Sequence, residues 1–195
     1  LWHKDIYMPE ADLLVLCGGF AFGDREYDKA TGLYLMNPGV QALKSPVHKT
    51  IERWVGEGRP TLGICNGFQI LVHAGMLPGR LEQNDIKKFN CDDVGVVVEG
   101  PSFFNFRSML GNVYNINIAH GYGRYIVTPE EYAFLMVKNQ IFLRYLGVNP
   151  NGSSENIAGV CNETGNVFAM MPHPERTDQE TQRVFLEAIE TYVRS

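Results

Sequence analysis

The chain has 195 residues, 45% of them hydrophobic, and is long enough to bury one sizeable core. Its formal net charge of −5 at pH 7 argues against a protein that binds nucleic acid or another polyanion. No apolar run approaches the roughly 20 residues of a membrane-spanning helix, and we expect neither a membrane anchor nor a signal peptide.

Strands and helices alternate along the chain, which is typical of an α/β protein. Continuous apolar runs and period-two alternation indicate strands, whereas apolar residues at helical spacing indicate helices. In chain order we predict a strand at 13–17, a helix at 46–56, a strand at 60–64, a helix at 66–75, strands at 94–98 and 113–119, a helix at 129–137, strands at 141–148, 157–160 and 166–170, and a helix at 177–193. These elements predict one α/β domain over residues 1–195, with three layers around a mostly parallel, open sheet.

Cys65 lies between a predicted strand and a predicted helix, in the pattern Gly-Ile-Cys-Asn-Gly at residues 63–67. This pattern is the thiol version of the nucleophile elbow of hydrolases. The two glycines permit a sharp turn and keep bulk away from the sulfur, while the start of the helix favours the thiolate. The alternative is a buried cysteine in an ordinary strand-to-helix turn.

A thiol nucleophile needs a base, and His173 is suited because imidazole titrates near neutral pH. Pro172 and Pro174 flank it and predict an extended segment, in which His173 and Glu175 share one side of the chain. Glu175 can then fix the tautomer of the imidazole and stabilise its charged form. A surface loop with an incidental histidine and glutamate is the alternative, and His120 is a less favoured candidate for the base.

The remaining cysteines do not have the paired spacing of a metal site. Together with a catalytic thiol they indicate a reducing compartment, so we expect a cytoplasmic protein. Cys17 and Cys161 lie in apolar, strand-like runs and are predicted to be core residues, and Cys91 fits a buried position in a strand.

Longer strings around these positions resemble a known family. They are Gly-Gly-Phe-Ala-Phe-Gly-Asp at 18–24, the elbow extended to 63–71, Ile-Ala-His-Gly-Tyr-Gly-Arg-Tyr at 118–125, Asn-Pro-Asn-Gly-Ser at 149–153, Ile-Ala-Gly-Val-Cys-Asn-Glu at 157–163 and Met-Pro-His-Pro-Glu-Arg at 171–176. The chain resembles the class I glutamine amidotransferases over about residues 9–176. Within them it is similar to the glutaminase subunits of phosphoribosylformylglycinamidine synthase.

The resemblance implies a flavodoxin-like fold and a catalytic triad of Cys65, His173 and Glu175. It also implies that the backbone N–H groups of Gly19 and Asn66 form the oxyanion hole. Gln69 lies one helical turn after Cys65, so its amide can face the same pocket, and the resemblance suggests that Gly121 and Tyr122 line that pocket as well. These three residues are the predicted glutamine-binding positions.

The same resemblance implies the reaction and the partners. L-Glutamine is hydrolysed through a γ-glutamyl thioester, without a metal or organic cofactor in this chain. The ammonia passes to a synthetase subunit that uses ATP and Mg²⁺ to form formylglycinamidine ribonucleotide in purine biosynthesis, and a small accessory subunit completes the assembly. We expect low activity from the isolated chain and a rise when the synthetase subunit is added.

Two departures from the family pattern lead to further expectations. The family opens with a strand, a Pro-Gly turn and a helix that have no counterpart here, so we expect a truncated N-terminus. Residues 25–39 form a longer, more polar segment, which we expect near the active site or the partner interface. This segment and the loop at 121–123 are the predicted moving parts.

Two other functions remain open from the sequence. One is a glutaminase subunit for another synthetase, which would share the elbow and the His-Pro-Glu string. The other is a non-catalytic α/β protein with a reactive elbow cysteine.

Overall fold

The computed structural model describes residues 1–20, 28–31, 33, 36–100 and 109–194. Within them the strands and α-helices are β1 (Leu14–Leu16), α1 (Val47–Gly56), β2 (Thr61–Ile64), α2 (Asn66–His73), β3 (Arg80–Glu82), β4 (Asn90–Val98), β5 (Val113–His120), β6 (Arg124–Ile126), α3 (Pro129–Val137), β7 (Ile141–Tyr145), β8 (Ile157–Cys161), β9 (Val167–Met170) and α4 (Gln179–Val193). Short 3-10 turns occur at Val40–Lys44, Ser154–Asn156 and Pro174–Arg176.

Seven strands form one sheet in the order β1-β2-β9-β8-β7-β4-β5. The pairs β1–β2 and β2–β9 are parallel, and the other four pairs are antiparallel. The α/β class is confirmed, and five of the seven strands run in the same direction. The sheet is nevertheless mixed, because β4 and β8 run opposite to the other five strands. Each of the two hairpin-like pairs, β4–β5 and β8–β9, contains one of them. The pairing of the strands is therefore not mostly parallel as predicted.

The sheet curls, so that β5 at one edge approaches the segment that follows β9. The backbone N–H of His173 donates to the carbonyl of Asn117 on β5 at 2.8 Å. Cys65 Sγ, which follows β2, lies 3.8 Å from the carbonyl oxygen of Ala119, also on β5. The curl therefore brings the carboxyl ends of three strands to one place, where ligands of α/β proteins commonly bind.

The core lies between this sheet and the helices. Its largest fully buried side chains include Phe68 of α2, Phe168 of β9 and Phe185 of α4. The amphipathic pattern predicted for the last helix is confirmed, since Phe185 and Ala188 of α4 are buried against the sheet. Trp54 of α1 is 1% exposed and packs in a second cluster on the side of β1.

Several sequence predictions differ from the structure. Cys161 is buried as predicted, but Cys17 and Cys91 are exposed, because Cys17 follows the end of β1 and Cys91 lies near the start of β4. A second sheet, made of β3 and β6, was not predicted. Each of its strands has only three residues, which is too short a run for apolar alternation to indicate a strand.

The predicted polar segment at 25–39 falls in part outside the described residues, which here are 28–31, 33 and 36–39. Its far end packs on α2: a Cβ on Gly39 would lie 2.9 Å from the carbonyl carbon of Gln69. In the described part of the chain, we find no helix that is both long and apolar enough to cross a membrane.

Candidate active site

Cys65 occupies the sharp turn between β2 and α2. Its backbone angles are φ 50 and ψ −102, in a region that non-glycine residues rarely adopt. The flanking glycines are required by close contacts, since a Cβ on Gly67 would lie 2.0 Å from the carbonyl oxygen of Leu16 and one on Gly63 would lie 2.9 Å from the carbonyl carbon of Gly67. The structure thus has the geometry of the predicted nucleophile elbow.

His173 and Glu175 form the predicted pair. His173 Nδ1 lies 2.6 Å from Glu175 Oε1, with the imidazole 1% exposed and the carboxylate 48% exposed. Burial raises the pKa of Glu175, but its hydrogen bonds and the nearby charges of His173 and Arg176 outweigh that effect and lower the pKa below its usual value. A carboxylate accepts only, so Nδ1 carries the proton and Nε2 is left as the basic nitrogen.

The segment that carries this pair is not fully extended as predicted. Pro174–Arg176 is a 3-10 turn, and His173 precedes it in an extended conformation. A proline is tolerated in the first turn of a helix because its missing N–H would have no partner there. The turn brings Glu175 back towards the imidazole, so the predicted contact forms through a different local structure.

Gly18 joins the nucleophile and the base. A Cβ at this position would lie 2.5 Å from Cε1 of His173 and 3.5 Å from Cβ of Cys65. The glycine loop after β1, the elbow after β2 and the histidine after β9 therefore meet in one crevice. Nε2 of His173 is buried there without a hydrogen-bond partner among the described residues.

The two predicted oxyanion donors lie in the same region. Gly19 and Asn66 both line a cavity of about 430 Å³ beside the elbow. Asn66 begins α2, so its backbone N–H has no partner within the helix, and Gly19 has a φ of 153 that favours glycine. Their role as oxyanion donors stays a prediction that this placement permits.

Gln69 has a different contact from the one predicted. Its Nε2 donates to the carbonyl of Tyr122 at 2.8 Å, and its Oε1 accepts from Asn66 Nδ2 at 2.7 Å. The amide therefore links the elbow helix to the loop at 120–123. Binding of glutamine by Gln69 stays a prediction, while holding this loop is the role that the contacts support.

Two buried asparagines hold the same loop: Asn84, which the sequence did not single out, and Asn151, which it singled out only as part of a family string. Asn84 Nδ2 donates to the carbonyl of His120 at 2.9 Å, and its backbone N–H donates to that of Gly121 at 3.0 Å. Asn151 Nδ2 donates to the carbonyl of Gly123 at 2.8 Å. This anchoring argues against the loop as a moving part and fixes Gly121 and Tyr122 beside the elbow.

The Asn-Pro-Asn-Gly-Ser string at 149–153 provides part of this support. Ser153 Oγ accepts from the backbone N–H of Tyr125 at 3.2 Å, and the carbonyl of Gly152 accepts from Arg124 Nε at 3.1 Å. The string had indicated only the family, and the structure gives it a physical role. Over the described residues, no group of histidine, cysteine and acidic side chains is arranged to hold a metal ion.

Comparison with known proteins gives consistent matches. Residues 1–192 match the family described as the CobB/CobQ-like glutamine amidotransferase domain. The chain is 40% identical over 177 residues to the phosphoribosylformylglycinamidine synthase subunit PurQ of Nostoc sp., which covers 90% of this chain and 75% of the relative. The subunit PurQ of Trichormus variabilis gives the same identity and the same coverage.

Solved structures agree. A chain in the structure of PurLQS from Thermotoga maritima is 35% identical with a TM-score of 0.80, and the match covers 97% of this chain and 83% of that one. A glutamine amidotransferase from Thermotoga maritima has a TM-score of 0.54 at 18% identity, covering 94% of this chain and 64% of that one. The second likeness concerns the fold alone.

Proposed function

This chain belongs to the CobB/CobQ-like glutamine amidotransferase family, and on that premise we propose that it is the glutaminase subunit of a phosphoribosylformylglycinamidine synthase. It hydrolyses L-glutamine and delivers ammonia for the synthesis of formylglycinamidine ribonucleotide. The single observation that carries the chemistry is the convergence of Gly18, Cys65 and His173, with Glu175 at Nδ1 of the imidazole. The sequence resemblance and the names of the relatives give the acceptor.

The first half-reaction forms a thioester. Nε2 of His173 takes the proton of the Cys65 thiol, and the thiolate attacks the side-chain amide carbon of glutamine. The negative charge that develops on the amide oxygen faces the backbone N–H groups of Gly19 and Asn66. The imidazolium then gives its proton to the amide nitrogen, the C–N bond breaks, and ammonia leaves with the γ-glutamyl group bound to Cys65.

The second half-reaction consumes water. Nε2 of His173 accepts a proton as water attacks the thioester carbon, and the C–S bond breaks to release glutamate and restore the thiol. Glu175 keeps the proton on Nδ1 in the resting state and stabilises the imidazolium in both halves. These groups transfer every proton and stabilise every charge in the two half-reactions, so the mechanism invokes no cofactor in this chain. ATP and Mg²⁺ belong to the synthetase.

The dependence of glutamine hydrolysis on a partner subunit follows from the low solvent exposure of the catalytic side chains. Cys65 and His173 are each 1% exposed, so little of the nucleophile and of the base is accessible in this conformation. Docking of a synthetase subunit, together with a small accessory subunit, can shift the equilibrium between this conformation and a more open one. A coupling of about 1–3 kcal/mol gives roughly 5- to 150-fold stimulation of glutamine hydrolysis. The compartment that fits a thiol nucleophile is the reducing cytoplasm.

Reconstitution with the synthetase subunit tests the assignment. Glutamine-dependent formation of the amidine is measured for the complex, with Cys65→Ala as the inactive variant and Cys91→Ala as a matched control at an exposed cysteine. The proposal requires that Cys65→Ala removes glutamine-dependent synthesis and leaves ammonia-dependent synthesis intact. Equal rates of glutamine hydrolysis with and without the synthetase would refute the coupling and indicate a stand-alone amidase.

A further inference from the structure

His120 is a buried histidine that the mechanism above leaves unused. It ends β5 and is 0% exposed. The residue before it, Ala119, has its carbonyl oxygen 3.8 Å from Cys65 Sγ, so the backbone at the end of β5 lies beside the nucleophile. A buried polar side chain at this position needs a reason, because removal of an imidazole from water is unfavourable unless its nitrogens are satisfied.

One nitrogen of His120 is satisfied, and its partner fixes the tautomer. Nδ1 lies 3.1 Å from Asn84 Oδ1, which also accepts the backbone N–H of Gly123 at 3.1 Å. The orientation of the Asn84 amide is set, since its Nδ2 donates to the carbonyls of His120 at 2.9 Å and Lys88 at 3.2 Å. Oδ1 can only accept, so Nδ1 carries the proton and Nε2 of His120 carries a lone pair.

The second nitrogen has no such partner. Nε2 of His120 is buried and makes no hydrogen bond to any residue that the structure describes. Burial, and secondly the charge of the neighbouring His173, lower the pKa of His120 to about 3. The imidazole is therefore neutral throughout the working range of pH, and Nε2 is a hydrogen-bond acceptor without a donor among the described residues.

We propose that Nε2 of His120 accepts a hydrogen bond from the N–H of the glutamine side-chain amide and of the departing ammonia, which makes His120 a further catalytic residue. This inference rests on the proposed glutaminase function. The amide nitrogen needs a proton on its lone pair, which His173 gives, and an acceptor for its own hydrogens, which His120 provides. The hydrogen bond strengthens as the nitrogen gains positive charge in the transition state.

The low basicity of this acceptor has a chemical consequence. An imidazole that stays neutral can orient the leaving group without removing a proton from it or holding it as an ammonium ion. Ammonia then departs uncharged, which is the nucleophilic form that an acceptor enzyme needs. The same orientation keeps the nitrogen lone pair directed at the imidazolium of His173.

Two variants distinguish the proposed hydrogen bond between substrate and His120 from a purely structural contact between His120 and Asn84. A glutamine side chain places a polar atom near the position of Nε2, whereas an asparagine side chain places one near Nδ1. His120→Gln thus retains an acceptor for the substrate, and His120→Asn retains the contact with Asn84. Under the proposal His120→Gln is the more active of the two with glutamine, and a purely structural role gives the opposite order.

Two substrates that differ in their leaving group make the test more specific. Both are assayed in the complex with the synthetase subunit. The γ-methyl ester of glutamate has a leaving oxygen without an N–H, so it has nothing to donate to Nε2. We expect His120→Asn to lower kcat/KM for glutamine about tenfold and to change kcat/KM for the ester less than about twofold. Equal loss on both substrates, or a less active His120→Gln, overturns the inference alone. No turnover of either substrate by the wild-type complex overturns the glutaminase assignment and this inference with it.

A spectroscopic measurement requires no change at His120. In a Cys65→Ala protein with ¹⁵N-labelled histidine, saturating glutamine should move the His120 Nε2 resonance from the position of a free lone pair towards that of a hydrogen-bonded acceptor. The Nδ1 resonance should stay that of a protonated nitrogen. An Nε2 resonance unchanged at saturation contradicts the proposal.

Discussion

The carboxylate oxygen Oε1 of Glu175 lies 2.6 Å from Nδ1 of His173, although one side chain is half exposed and the other is buried. The contact spans only two residues, and the 3-10 turn at Pro174–Arg176 makes it possible. A second anchor, the backbone N–H of His173 on Asn117, holds the imidazole against β5. The base is therefore fixed at both its backbone and its Nδ1, and only Nε2 is left for the reaction.

The two members of this pair should differ in their effect on the rate. His173→Ala removes the base and should nearly abolish glutamine hydrolysis. Glu175→Gln keeps a hydrogen-bond acceptor but loses the charge that stabilises the imidazolium, so its kcat should fall less. Steady-state kinetics of both variants in the complex check this order, and a Glu175→Gln variant that is slower than His173→Ala would mean that the roles are reversed.

Gly18 should be intolerant of any side chain. The Cβ of Gly18→Ala would lie 2.5 Å from Cε1 of His173, so the imidazole or the loop must move. A displacement of about 1 Å at a catalytic group can lower the rate about 100-fold.

The matched control is Gly56→Ala, at the end of α1, where an added Cβ meets nothing within 4 Å. That variant should keep wild-type kcat and should be no less stable. If Gly18→Ala retains wild-type kcat as well, the glycine loop does not contact the working imidazole as described.

Asn151 should matter for stability and for substrate binding together. Asn151→Asp keeps the acceptor for Ser153 but loses the donor to the carbonyl of Gly123, leaving that buried carbonyl unpaired. The free energy of unfolding should fall by about 1–3 kcal/mol, and KM for glutamine should rise because the loop at 120–123 loses an anchor. Asn115→Asp, the same change at an exposed position, should alter stability by less than about 0.5 kcal/mol. Denaturant unfolding and steady-state kinetics of both variants measure these effects, and equal stability would contradict the anchoring role.

The neutral state of His120 should make the protein sensitive to acid. Its pKa of about 3 in the folded chain lies below the ordinary value of 6.5, so the unfolded chain takes up the proton first as the pH falls. This contribution to stability is complete above pH 6.5 and is lost as the pH falls towards 3. Between pH 7 and pH 5 the loss is roughly 2 kcal/mol.

The variant His120→Gln isolates this contribution from that of the other titrating groups. The difference in free energy of unfolding between pH 7 and pH 5 should be smaller in the variant by roughly the same 2 kcal/mol. Denaturant unfolding at the two pH values measures it. An identical pH dependence in both proteins would show that His120 is not held neutral by the fold.

Local features were predictable from the sequence, and the structure shows why. The helix at 129–137 begins and ends as predicted because Thr128 and Glu131 form a capping box and Pro129 opens the first turn. The elbow at Cys65 was predictable from its Gly-Ile-Cys-Asn-Gly pattern, in which Gly63 closely approaches Gly67, although the close contact of Gly67 is with Leu16 on a different strand.

Features that depend on distant contacts were not predictable. The pairing of β7 with β4 and β8 is decided by how the whole sheet assembles, and nothing in a single strand indicates its neighbours. The contact of Asn84 with His120 spans 36 residues. Support of the loop was predicted for His120, whereas Asn84 did not stand out, because a buried asparagine resembles a surface one in sequence.

The most direct measurement is the identity of the acylated residue. The complex is mixed with glutamine, quenched in acid during turnover, digested, and its peptides are weighed by mass spectrometry. The account predicts one glutamyl group on the peptide that contains Cys65, stable in acid and removed by hydroxylamine, and no such peptide in the Cys65→Ala variant. A glutamyl group on Cys17, Cys91 or Cys161, or undiminished glutamine hydrolysis by Cys65→Ala, would contradict it.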